Sequence, residues 1–159
     1  MKTKVLEISE QAARKLYLTA AVELKALLEE NFGKDFFSQS IMDRVKTYED
    51  ACAELGESPV DENACKKLGM NKNDIAYLKL TQIVRALNEG WVAKVYDGEN
   101  RWYPWFKHND SPSGFAFLGS GFDFGSAAAG CGSRLCFKDE NLSTYAGKQF
   151  LDLWREFIV

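Results

Sequence analysis

The run Arg101-Trp102-Tyr103-Pro104-Trp105-Phe106-Lys107-His108, with Phe115-Ala116-Phe117, Phe122-Asp123-Phe124 and Leu135-Cys136-Phe137 after it, decides how this chain is read. The run 102–106 is continuously aromatic apart from Pro104, while in the shorter segments apolar side chains recur at every second residue, the spacing that gathers them on one face of a strand. Val92, Lys94 and Tyr96 begin the same alternation, and Asp97-Gly98 has the composition of a tight hairpin turn. Aromatic side chains favour strands, and Pro104 inside the run marks an edge or a bulge. Residues 109–114 read as a turn, and the small residues 125–132 as a mobile loop. Leu135 and Phe137, alternating with Arg134, Cys136 and Lys138, read as a final strand with a basic face. Residues 101–159 carry three of the four tryptophans, eight of the eleven phenylalanines and the only histidine.

Upstream the period is helical. A weak alternation at residues 4–8 predicts a short strand, after which Ser9 is an N-cap and Ala13, Leu16, Ala20, Leu24, Leu27 and Leu28 form one stripe that Gly33 ends. Phe36 and Phe37 follow in a connector and are expected to plug the core between helices. Ser40 and Asp43 make a capping box, and Ile41, Val45, Tyr48, Cys52 and Leu55 predict one helix closed by Gly56. Pro59 lies in a turn, Asp61 caps a short helix ending at Gly69, and Asn71 to Asp74 cap the helix of Ile75, Leu78, Leu80, Ile83, Val84 and Leu87. Its apolar residues spread widely, so it is expected to be the most buried. Asp139 or Asn141 starts a last helix whose inner stripe is Leu142, Ala146, Phe150, Leu153 and Phe157, widened by Tyr145, Trp154 and Ile158. The expected fold is α+β in a single domain, 1–159: helices over 1–90, antiparallel strands over 91–138 forming a small meander, and a C-terminal helix over 139–159.

A chain of 159 residues with 46% hydrophobic and 27% charged residues has the composition of one ordinary globular domain. No apolar run approaches the roughly 18–20 residues that cross a bilayer, and the N-terminal Met-Lys-Thr-Lys-Val-Leu-Glu-Ile leads into an acidic amphipathic segment, so an intracellular location is expected. The net charge of −3 provides no overall field for polyanions. Cys52, Cys65, Cys131 and Cys136 lack metal-ligand spacing and are expected to be packing thiols, so no metal and no cofactor is expected.

Four segments carry a resemblance: Arg85-Ala86-Leu87-Asn88-Glu89-Gly90-Trp91, Tyr103-Pro104-Trp105-Phe106, Ser133-Arg134-Leu135-Cys136-Phe137-Lys138 and Tyr145-Ala146-Gly147-Lys148-Gln149-Phe150. Together with the stretch from Asp43 to Cys52 they resemble a family of small uncharacterised proteins encoded by phages, prophages and other mobile elements of gut Bacteroidetes bacteria. Members of that family often carry more aromatic residues where this chain has residues 119–132. The resemblance implies a bacterial host cell and a phage- or element-associated setting, cytoplasmic and compatible with virion association, but it implies little about activity and assigns no catalytic residue.

The candidate binding residues are Arg101, Trp102, Tyr103, Trp105, Lys107, His108, Arg134 and Lys138, with Phe106 and Lys148 beside them. Aromatic faces interleaved with cations suit single-stranded nucleic acid, where stacking contributes about 1–3 kcal/mol per base. Core and interface packing is the stronger expectation, because alternate strand residues face opposite ways and one aromatic set must turn inward. An enzyme would need His108 with Asp110 or Asp123, or Cys131 in its Gly-rich surroundings, and no partner base is evident. The expected function is therefore non-enzymatic, a protein-interaction or structural module with protein partners and no membrane. The alternative is a single-stranded nucleic-acid-binding protein.

Overall fold

Ser9 opens the first helix: its hydroxyl accepts the Ala12 N–H, and Glu10 lies in the first turn where the helix dipole favours negative charge. The computed structural model describes residues 7–94, 98–109, 114–124 and 133–159, so most of the strand expected at 4–8 lies outside the described residues. The stripe predicted one helix up to Gly33. Instead α1 (Glu10–Thr19) ends at an extended Ala20, and α2 (Val22–Phe32) starts after an extended Ala21. A straight helix would set Tyr17 about 24 Å from Gly33. The break lets the chain fold back, so that Tyr17 stacks on Phe37 with ring centroids 4.1 Å apart and the Arg14 guanidinium lies 3.5 Å above Phe36. Phe36 and Phe37 belong to α3 (Lys34–Ser38), are half-buried, and pack with Phe32 in a cluster of their own.

The helix predicted across residues 41–55 is also two. Ser40 caps α4 (Ile41–Arg44), although the Asp43 carboxylate accepts the Ser40 hydroxyl and not its N–H, so the expected box is half formed. Thr47 starts α5 (Tyr48–Leu55) through a full capping box, its hydroxyl accepting the Asp50 N–H at 3.1 Å while the Asp50 carboxylate accepts the Thr47 N–H at 2.8 Å. Gly56 closes α5 in the left-handed region at φ 69°, where a side chain would be strained. Asp61 and Asn71 cap α6 (Glu62–Lys67) and α7 (Lys72–Leu87) as predicted. Helix α7 is the centre of the fold, burying Ile75, Ala76, Leu80, Ile83, Val84, Ala86 and Leu87 between α5 and the C-terminal segment.

The strand expected across 92–96 is absent from Trp91 to Lys94, and Tyr96 and Asp97 lie outside the described residues. The aromatic run forms β1 (Asn100–Lys107), which pairs antiparallel with β2 (Ala116–Phe124) in place of the segment before it. Asn109 N–H donates to the Gly114 carbonyl at the base of the turn, whose residues 110–113 lie outside the described set. The loop expected over 125–132 lies outside it too. Among the described residues the sheet has two strands, so the expected meander is reduced to one hairpin and one bridge. The bridge joins Trp102 to Phe137, each donating its N–H to the other's carbonyl. Residues 133–135 form a 3-10 turn in place of the predicted final strand. Trp102 turns its backbone groups toward Phe137, so Pro104, two residues on, turns its nitrogen to the same free edge and removes no ladder hydrogen bond.

Asp139 caps α8 (Glu140–Gln149), and after Phe150 the chain continues as α9 (Leu151–Ile158). Helix α8 crosses the hairpin and α9 packs on α7. Leu142, Ala146, Phe150 and Trp154 join Leu80, Ile83, Leu87, Phe115 and Phe137 in one core, with Phe106 stacked on Phe115 and tilted against Trp154. The architecture is α+β, helical in its N-terminal half, with a hairpin packed on the C-terminal helices. Among the described residues no helix is long and apolar enough to cross a membrane.

Candidate interaction surface

The eight binding residues expected from the sequence do not form one face. Pairing in β1 puts Arg101, Tyr103, Trp105 and Lys107 on one side, and Trp102, Pro104 and Phe106 on the side that meets α8 and the core. Arg101 is 1% exposed and pairs with Asp123 at 3.2 Å, so it is not a solvent-facing cation. The cause is register: Arg101 sits opposite Asp123, where an opposite charge across the strands is stabilising. Lys107, His108 and Arg134 are exposed. Lys138 is half-buried and pairs with Glu89 at 3.2 Å, while Glu89 also pairs with Arg44. Two of the expected basic residues are thus neutralised by carboxylates.

Trp105 is 60% exposed and its indole lies across Gly121, where a Cβ would come 2.6 Å from Nε1. Tyr103 is half-buried. Its phenol is pushed up to about 12, first by burial and then by the neighbouring Cys136, and burial likewise pushes the Cys136 thiol up. A thiol held protonated by burial is a poor nucleophile. Cys52 and Cys136 are buried and Cys65 is partly exposed. Cys131 and Asp110, named with the enzyme alternative, lie outside the described residues, and Asp123 is committed to Arg101. Among the described residues no three His, Cys, Asp or Glu side chains converge to hold a metal ion.

The raised tyrosines have a consequence for stability. Tyr48 also sits at about 12, chiefly through burial, and burial raises Tyr145. Their folded values lie above the ordinary 10 or so, so the folded state keeps the phenol protons to higher pH than the unfolded chain does. The contribution is complete below about pH 10 and is lost as pH rises through about 12. Urea midpoints are therefore expected to hold up to about pH 10 and then fall steeply, with phenolate absorbance appearing at higher pH in the folded protein than in urea. Midpoints that stay level through this range would contradict the burial of these rings.

What the structure does assemble is an aromatic corner at the end of the hairpin farthest from its turn. Trp102 packs against Phe122 with ring centroids 4.9 Å apart and the rings tilted by 49°. Trp102, Phe124, Trp91 and Lys138 line a shallow cleft of about 450 Å³, with Gly98, Glu99 and Asn100 along its rim. A Cβ at position 98 would lie 3.2 Å from Phe124, and the φ of 66° there also suits glycine. Phe122 and Phe124 are 56% and 64% exposed because they extend the face that α8 covers, beyond the part it reaches. Sequence reasoning named Trp102 and Lys138 and missed Trp91, Phe122 and Phe124. The alternation of Phe122 and Phe124 was the available signal, but it does not tell where the covering helix stops. The corner offers clustered aromatic rings and one lysine that already has a partner, which is suited to holding an apolar or aromatic group and supplies no acid, base or nucleophile. In comparisons with known proteins, no family model, no curated protein and no solved structure matches this chain.

Proposed function

We propose that this protein is a non-enzymatic accessory module of a phage or mobile element, acting in the host cytoplasm by docking a protein partner on the aromatic corner of Trp91, Trp102, Phe122 and Phe124. The observation that carries this reading is the exposure of Phe122 and Phe124 beside two half-buried tryptophans, since aromatic residues are enriched at protein interfaces. The single-stranded nucleic-acid reading has less support, since Arg101 and Lys138 pair with Asp123 and Glu89 and leave the corner little free positive charge for phosphates.

A photo-crosslinking phenylalanine analogue placed at Phe124 tests the proposal in cells carrying the element. A discrete protein adduct is expected, and its yield should collapse when Trp102→Ala is added. With the captured partner in hand, Phe122→Ala is expected to weaken binding by about tenfold or more, as truncation of a central aromatic does. An absence of adducts, together with low-salt binding of single-stranded DNA or RNA in an anisotropy titration, would replace this reading with the nucleic-acid one.

A further inference from the structure

A second cleft, of about 450 Å³, opens between α1, α5 and the residues that follow α7. Its volume is in the range of small-molecule sites. Tyr17 and Phe37, stacked on each other, and Trp91 provide flat apolar wall, while Arg14, Lys15, Arg44, Arg85, Glu54 and Glu89 provide charge, Arg85 pairing with Glu57. Both carboxylates are engaged: Arg44 reaches Glu54 at 3.0 Å and Glu89 at 3.1 Å, and Lys138 reaches Glu89 at 3.2 Å. Arg14 is different. Its guanidinium donates to two neutral acceptors, the Phe36 carbonyl and, at 3.2 Å, the Gln39 side-chain oxygen, and no carboxylate lies within ion-pair distance of it among the described residues. A guanidinium has five N–H donors, so several remain for another acceptor. Burial, and then repulsion from Arg44, lower the Arg14 pKa, which marks a place where added negative charge is stabilising. The Arg14 guanidinium also lies 3.5 Å above the Phe36 ring, a cation–π contact that restrains it at the cleft.

We propose that this cleft binds a small organic anion with a flat apolar body, its carboxylate held by Arg14 and its ring laid against Tyr17 and Trp91. The site is separate from the aromatic corner except for Trp91, which lines both clefts. Arg14 is therefore the residue to vary.

The test is a nuclear magnetic resonance titration of the full chain with phenylacetate, its neutral counterpart phenylacetamide, and inorganic phosphate. Phenylacetate is expected to move the Trp91 indole N–H signal saturably, phenylacetamide to bind about tenfold or more weakly, and phosphate to leave the indole signal in place. Arg14→Gln should lower phenylacetate affinity by about tenfold or more, and Arg14→Lys should retain part of it. Glu54→Gln, which removes negative charge from the cleft, should tighten phenylacetate binding, and that gain should shrink when Arg14→Gln is added, an outcome that a purely structural role for Arg14 does not predict. Amide spectra without ligand establish that each variant is folded, and the Glu54 variant keeps the test decisive if Arg14→Gln is not. Equal binding of the acid and the amide, unchanged affinity in both folded Arg14 variants, or no saturable shift with phenylacetate would each overturn the proposal.

Discussion

Replacing Asn88 with alanine is expected to lower the unfolding free energy by about 2–4 kcal/mol, since each buried polar group left without its partner costs about 1–3 kcal/mol. Asn88 is 4% exposed at the C-terminal end of α7. Its side-chain NH2 donates to the Cys136 carbonyl at 2.8 Å, and its side-chain oxygen accepts the Lys138 N–H at 3.0 Å. These two backbone groups flank Phe137, which is fully buried and bridges to Trp102. The amide of Asn88 thus does for residues 136–138 what a neighbouring strand does for a sheet. Aspartate is the discriminating substitution. It keeps an acceptor for Lys138 but turns an oxygen toward the Cys136 carbonyl, so Asn88→Asp should be as destabilised as Asn88→Ala despite near-identical shape. Urea unfolding measures the loss, and hydrogen exchange should show the Lys138 amide losing protection beyond the global change. An aspartate variant as stable as the natural protein would show that the amide does not hold this segment. Because residues 136–138 position Trp102 and Lys138, the same change should loosen the wall of the aromatic corner.

What could be read in advance divides along a physical line. The caps at Ser9, Asp61, Asn71 and Asp139 were legible because an N-cap is settled by a side chain and the amides two or three residues on. The breaks at Ala20–Ala21 and at residues 45–47 were not, because the apolar stripe runs unchanged through both. The first is decided by Tyr17 finding Phe37 across the sequence, although Thr47 with Asp50 was a readable signal for the second. Leu135-Cys136-Phe137 alternates with charged neighbours, yet all three are buried, so they are not an in-and-out strand but a turn followed by one bridge. At the candidate surface, strand alternation separates two faces without telling which is covered, so Arg101 could not be placed inside nor Phe122 and Phe124 outside. The cleft beside Arg14 joins helices that only tertiary folding brings together.

Gly147→Val is expected to cost about 3 kcal/mol, and Gly147→Ala about 1–2 kcal/mol, although alanine improves an ordinary helix position by about 1 kcal/mol. Gly147 is buried in α8 where that helix crosses the hairpin. A Cβ there would lie 2.5 Å from Phe117 Cδ2 and 2.8 Å from Pro104 Cβ. The Phe117 ring can turn away, but the Pro104 ring is fixed to its backbone, so α8 itself must move. The sign is the informative part: loss from Gly147→Ala reads as contact with the hairpin outweighing helix propensity, whereas gain would mean that α8 does not approach this closely. Phe117→Leu in the Gly147→Ala background should recover part of the loss, so the two substitutions together cost less than the sum of each alone. The partner at Pro104 remains, so recovery should be incomplete. Displacing α8 also shifts the edge beyond which Phe122 and Phe124 stay uncovered, so the alanine variant, still folded, should alter partner docking at the aromatic corner as well as stability.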